Sequence, residues 1–222
     1  MVKALILVEG QTEEAFVKNL LASHLAGKEV VTTPVIVATK RLLTGDKKRG
    51  GYVPYSRLRA EILRLLNDSS ATCVTTMLDY YGLAPEFPGR ENPKGKTALE
   101  KVVFVESAWA ADINHQRFLP YLALHEFEAM LFTEPTVIAS SFGQPAIQTT
   151  LQSIRASFSS PEDINDHEDT APSKRLGKLF PGYNKPFYGE LIVERIGLDR
   201  IRADCAHFAA WLAQLESLGT RL

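Results

Sequence analysis

Residues 2–8, VKALILV, form a nearly unbroken apolar run that stops at Glu9 and Gly10, the pattern of a central strand covered on both faces. Apolar positions Ala15, Phe16, Leu20 and Leu21 follow at helical spacing, with Thr12 as the expected N-cap. VVTTPVIVA at 30–38 is rich in β-branched side chains and reads as a second strand. Pro34 inside it has no N–H to donate and points to an edge position or a bulge. PYSRLRAEILRLL at 54–66 places a proline at the start of a helical period. ATCVTTML at 71–78 reads as a third strand, ending at DYYG; a proline-rich loop then leads to a helix from about 97 to 114. RFLPYLAL at 117–124 reads as a fourth strand, and HEFEAMLF after it turns helical.

Strands and helices alternating in this way predict an α/β domain over 1–134, with a mainly parallel sheet. Past Glu134 the stretches FGQPAIQTTLQSIRASF, APSKRLGKLF, PFYGELIVERIGL and CAHFAAWLAQLESL read as short helices broken by Gly, Pro and Asn. Residues 135–222 are therefore expected to form a helical C-terminal part packed on the sheet.

Composition supports a folded, water-soluble protein: 222 residues at 45% hydrophobic content suffice for a sizeable core. The formal charge of -1, from 25 basic and 26 acidic residues, leaves nucleic-acid binding to a local patch rather than to overall charge. Cys73 and Cys205, without paired spacing, support neither a disulfide framework nor a thiolate zinc site. The apolar run at the N-terminus is too short for a signal peptide or a membrane span, so a cytoplasmic location is expected.

In an open parallel sheet, loops leaving the C-terminal strand ends form the ligand crevice. Three of the four expected strands carry acids there: Glu9 after LILV, Asp79 after TTML, and Glu126 and Glu128 after YLALH. Carboxylates gathered at one edge repel one another, and a divalent cation is the simplest neutraliser. All-oxygen ligands favour magnesium or manganese over zinc. Taken alone, Glu13 or Glu14 is equally well explained as complementing a helix dipole, and Asp79 as an ordinary turn residue. Three acidic strand ends together are harder to assign to chance.

VEGQTEE at 8–14 resembles the first motif of Toprim domains, shared by topoisomerases, bacterial primases and the overcoming-lysogenization-defect (OLD) nucleases, and VEGxTE is closest to the last group. LDYYG at 78–82 stands where a Toprim has Asp-x-Asp after a strand. With PYLALHEFEAMLF, EDINDHEDTAPSKRL and CAHFAAWL, nearly the whole chain resembles a bacterial family of unknown function, numbered 4276.

The resemblance implies a Toprim-like (Rossmann-like) α/β fold, a mainly parallel sheet with helices on both faces, and metal-dependent phosphodiester cleavage of DNA or RNA. It also implies a role in anti-phage defence beside a partner ATPase. Glu9 would be a metal ligand or general acid/base, Glu13 would help hold a second metal, and Asp79 matches the first aspartate of Asp-x-Asp. The second aspartate is replaced by Tyr81, and Glu126 or Glu128 would supply the missing oxygen. Lys174 in APSKRL matches a basic residue that stabilises charge on the scissile phosphate. Two metals about 4 Å apart would neutralise that phosphate and activate a water.

HEFE at 125–128 lacks the second histidine of a zinc protease, because position 129 is Ala, and Gly95-Lys96-Thr97 lacks the upstream glycine of a phosphate-binding loop. KRLLTGDKKRGG at 40–51 holds Lys40, Arg41, Lys47, Lys48 and Arg49 against one acid. It could track a phosphate backbone beside the acidic crevice, or be a solvated loop. His207, Phe208 and Trp211, at helical spacing, read as core packing. Asp163, Asp166, His167, Glu168 and Asp169 read as a surface run with an optional supporting role. Two other readings remain beside the nuclease: a Toprim scaffold that binds nucleic acid or a partner without cutting, motivated by Tyr81, and an unrelated phosphate-ester hydrolase using the same crevice.

Overall fold

The computed structural model describes residues 1–37, 53–164 and 169–220. Its centre is a parallel sheet in the order β2-β1-β3-β4, formed by β1 (Val2–Val8), β2 (Val30–Ile36), β3 (Ala71–Asp79) and β4 (Phe118–Leu119), with β5 (Leu122–Ala123) also paired to β3. β1 and β3 are central and apolar because both of their faces are covered. Alternate residues Ala4, Ile6 and Val8 enter one hydrophobic cluster, and Leu5 and Leu7 enter the other. β2 lies at the edge, as Pro34 requires.

The fourth strand is not the single run expected from 117–124. It breaks into β4 and β5, because Pro120 cannot donate to the ladder. The Thr76 hydroxyl bridges the gap: it donates to the Tyr121 carbonyl at 2.8 Å and accepts from the Tyr121 N–H at 2.9 Å. Both backbone groups of a buried residue are thereby satisfied without a regular strand.

Helices cover both faces. On one lie α3 (Tyr55–Leu66) and α4 (Ala98–Ile113), the latter opened by a capping box between Thr97 and Glu100. On the other lies the stretch made of α1 (Gln11–Phe16), a π-helical turn at Val17–Leu21 and α2 (Ala22–Ala26). Thr12 is not the cap expected from the sequence. Gly10, in extended conformation, precedes the helix, and Thr12 is buried in its first turn.

Beyond position 134 the described residues contain only helices: α5 (Pro135–Ser141), α6 (Gln148–Ala156), α7 (Pro172–Leu179), α8 (Lys185–Ile196), α9 (Leu198–Asp204) and α10 (Ala206–Gly219), with short 3-10 turns. Their apolar faces share a cluster with β1, α1 and the 3-10 segment Phe127–Thr133. α10 begins on a carboxylate: Glu162 accepts hydrogen bonds from the N–H groups of His207 and Phe208, both at 3.0 Å. Phe208 and Trp211 are buried, and Trp211 stacks on Tyr121 with its indole N–H donating to Thr75 Oγ1. His207 meets Glu106 at 3.0 Å instead of facing a ligand. No helix among the described residues is long and apolar enough to cross a membrane.

Candidate metal centre

Because β1, β3 and β5 are adjacent and parallel, their last residues emerge at one edge of the sheet. Val8 pairs with Met77, and Asp79 pairs with Ala123, so Glu9, Asp79 and the segment that begins at His125 leave side by side. The backbone fixes two of these acids. Asp79 Oδ1 accepts from the Phe127 N–H at 2.8 Å, which ties the β3 end to the β5 exit. Glu9 Oε2 accepts from the Asp79 N–H at 3.4 Å.

Glu126 points toward the C-terminal helices, where both of its oxygens are held by Ser173: Oε2 by the backbone N–H at 2.8 Å and Oε1 by the hydroxyl at 2.9 Å. Ser173 is in the first turn of α7, a natural anion-holding position. Glu128 is completely buried, and the Tyr183 hydroxyl donates to its Oε1 at 3.5 Å. Glu13, also buried, comes from the first turn of α1.

The group that meets these acids is Lys185, which pattern reading did not single out. Its Nζ lies 3.0 Å from Glu128 Oε2, 3.7 Å from Asp79 Oδ2 and 3.8 Å from Glu13 Oε1. Lys185 opens α8, whose first turn is capped by the Asn184 side chain accepting from the Phe187 N–H. α8 packs directly on α1 because residue 189 is glycine: a Cβ there would stand 2.6 Å from Thr12 Cγ2. That close approach carries Lys185 over Glu13 and into the crevice. The only available signal was the proline after Lys185 and the glycine four residues later, which says nothing about partners.

Electrostatics follow from the crowding. Burial raises the Asp79 carboxyl well above the ordinary range; Lys185 opposes this, while Glu9, Glu13 and Glu128 add to it. Glu128 is pushed up to about 7 by burial, against the pull of Lys185. Glu9 is raised by the protein packed around it even though its outer edge faces solvent, again against Lys185. Burial disfavours the Lys185 ammonium, but Asp79, Glu128 and Glu13 outweigh that cost and hold its pKa above the usual lysine value.

Lys174 is solvent-exposed on α7, so the amine among the carboxylates is Lys185 and not the lysine expected from the motif. Tyr81 sits beside the crevice with its N–H donating to the His125 carbonyl at 3.2 Å. Asp163 caps a local turn by accepting from the Ser160 N–H. Lys40, Arg41, Lys47, Lys48 and Arg49, with Asp166, His167 and Glu168, lie outside the described residues.

The donor set is all carboxylate, the type a hard divalent cation takes; Glu13 Oε1 is sealed from solvent without accepting a hydrogen bond, while Glu128 Oε2 faces the Lys185 ammonium at 3.0 Å. Among the described residues, however, no three acidic or histidine side chains form a ready-made metal cage. The oxygens close on the ammonium instead.

Solved structures that resemble the chain include the C-terminal regions of two OLD proteins. One is the C-terminal region of the OLD protein of Xanthomonas campestris pv. campestris, at 15% identity and a TM-score of 0.45, covering 98% of this chain and 95% of that one. The other is the C-terminal region of the Burkholderia pseudomallei OLD protein, at 13% identity and a TM-score of 0.47, covering 99% of each chain. No curated protein matches in sequence. The family model described as "Domain of unknown function (DUF4276)" matches residues 8–216, nearly the whole length, and the chain belongs to that family.

Proposed function

We propose that the protein is a divalent-metal-dependent phosphodiesterase of the Toprim type, cleaving DNA or RNA at the C-terminal edge of its sheet. One observation carries the reading: acids from three neighbouring parallel strand ends meet there, together with Glu13 and a half-buried lysine. A fold needs no such concentration of buried charge, and burying it costs stability. Glu9, Glu13, Asp79, Glu126 and Glu128 would hold magnesium or manganese. The cation would supply charge neutralisation at the phosphate and a water of lowered pKa.

The chain's own residues do the positioning. The Phe127 N–H fixes the Asp79 carboxylate, and Ser173 orients Glu126 through both of its oxygens. Glu9, open to solvent at the rim, is placed to accept a proton from an attacking water. Lys185 brings the cationic charge that the motif-based reading assigned to Lys174. The basic segment 40–49 would meet the phosphate backbone, and a cytoplasmic location, a partner ATPase and a part in anti-phage defence complete the proposal.

Purified protein incubated with plasmid, single-stranded DNA and RNA is expected to cut one of them with magnesium or manganese, and not with chelator. Cutting should vanish in Glu9→Gln and Asp79→Asn. Absence of cleavage under every condition, including addition of a partner ATPase, would reject the reading. A second reading, a scaffold that binds nucleic acid without cutting, is favoured by Tyr81 at the second aspartate position and by the ammonium among the carboxylates. Binding that survives both substitutions, without cleavage, would establish it.

A further inference from the structure

Next to the crevice lies a trough that the strand-end acids do not line. Gly82 runs close to the Glu9 carboxylate: a Cβ there would stand 3.5 Å from Oε2. Leu83, the next residue, lines a cavity of about 480 Å³ together with Pro85, Glu86, Arg90 and Glu91. Consecutive Cα atoms are about 3.8 Å apart, so the trough opens one residue from the rim of the crevice.

The loop that shapes it, 83–91, is held on several sides. Val53 bridges to Leu83, and buried Phe87 packs edge-on against Tyr55 and Trp109. Gly89 lies in the left-handed region at φ 75°, and a Cβ there would meet Ala108 Cβ at 3.0 Å, so glycine lets the loop rest on α4. A wall fixed in this way is preorganised for a ligand.

Arg90 is the cation of that wall. Its guanidinium lies 4.3 Å over the Tyr80 ring, and Nη1 donates to the Tyr80 hydroxyl at 3.1 Å. Tyr80 directly follows Asp79, so the arginine is anchored on the neighbour of a crevice acid. Among the described residues it has no carboxylate partner, and its enclosed Nε–H has no acceptor. Arg117 shows the contrast: its guanidinium is spent on the carbonyls of Leu66, Asp68 and Ala71. Glu86, though it lines the trough with Arg90, accepts from the Tyr55 N–H at 3.3 Å. An oriented guanidinium with donors to spare fits a phosphate, which accepts parallel N–H bonds from the fork. Glu86 and Glu91 keep the trough from attracting anions in general, so geometry and not field would select the ligand.

We infer that Arg90 is a phosphate-binding residue: it holds a backbone phosphate of the nucleic-acid strand next to the one placed over the crevice, and the 83–91 trough leads the strand away from Glu9. This rests on the phosphodiester-cleaving reading above and deepens it, by adding a contact that fixes the register of the strand on the acids. Contacts to phosphate position a strand without reading its bases, so the trough accepts any sequence.

Fluorescence anisotropy with labelled single-stranded DNA and RNA oligonucleotides, in magnesium and in chelator, measures the contact. Arg90→Gln should weaken binding about tenfold and lower the slope of log Kd against log salt by about 0.7–0.9, the signature of one lost phosphate contact. Arg90→Lys should regain the slope but only part of the affinity, since an ammonium lacks the planar fork. Arg64→Gln, at the C-terminal end of α3 and paired with Glu61, should bind like wild type. Phenylglyoxal labelling of the wild-type chain, read by mass spectrometry, does not depend on how a variant folds: the oligonucleotide should protect Arg90 and leave Arg64 reactive. Wild-type binding that Arg90→Gln leaves unchanged, or binding without protection of Arg90, overturns the inference and leaves the cleavage reading standing. Protection by AMP as complete as by the strand also overturns it, marking a mononucleotide pocket instead. Arg90-dependent binding by a protein that cuts under no condition supports the inference and rejects the cleavage reading. No binding of either nucleic acid overturns both.

Discussion

Lys185 Nζ lies 3.0 Å from the carboxylate of Glu128, a side chain with no solvent exposure, and 3.7 Å from Asp79 at the end of the central strand β3. A lysine contributed by a helix more than 50 positions away in sequence thus sits at the point where the strand-end acids converge. This pairing offsets part of the cost of burying the acids.

The acids titrate in a window set by burial. Glu128 is raised from 4.5 to about 7, and Glu9 and Asp79 are raised as well. The folded protein therefore binds more protons than the unfolded chain across this range, and its stability falls as pH rises. The stabilising contribution is complete below about 4.5 and is lost as pH passes about 7. Urea melts in chelator between pH 5 and 8 should show a decline on the order of 1–3 kcal/mol. Glu128→Gln should flatten part of it, and a melt that does not depend on pH would contradict the buried-acid picture.

Gly189→Ala should disturb the crevice from a distance. The new methyl would meet Thr12 Cγ2 at 2.6 Å, forcing α8 away from α1 and shifting Lys185. A loss of about 1–3 kcal/mol is expected from overpacking. Thr12→Ser removes the opposing methyl, so the double variant should recover most of the loss. A double-mutant cycle by thermal denaturation that shows simple additivity would refute the contact.

Ser173→Ala deletes the hydroxyl that donates to Glu126 Oε1 but keeps the backbone donor to Oε2. Stability should fall by only about 0.5–1.5 kcal/mol. Manganese affinity should fall by on the order of tenfold, because the carboxylate loses half of its support. Calorimetry on the folded variant reads this directly, and unchanged affinity would remove Glu126 from the proposed ligand set.

Glu162→Ala should be purely structural. The Glu162 carboxylate accepts from the N–H groups of His207 and Phe208 at the start of α10. Removing it leaves those donors unsatisfied in a buried setting and should cost about 1–2 kcal/mol. Cleavage per folded molecule should stay at the wild-type level, and a selective loss of activity would place this helix end in the site.

The sequence by itself determined the central strands, because continuous apolar runs such as LILV have no stable location except between two covered faces. It also determined that Glu9 and Asp79 would share an edge, since parallel strands end on the same side, and Pro34 placed β2 at the margin. Local pattern failed where a long-range contact overrode it. Thr12 looked like a cap and is instead buried against Gly189, and 117–124 looked like one strand but is split at Pro120, with Thr76 completing the pairing. Only the tertiary structure decided which base meets the acids. Lys174 and Lys185 are alike as residues in short polar stretches, and periodicity carries no information about which helix turn is pressed over the sheet edge. That choice came from α8 packing on α1 through a glycine, a contact between positions 12 and 189. Side-chain charge is written in the sequence, whereas its neighbours are set by how the helices close over the sheet.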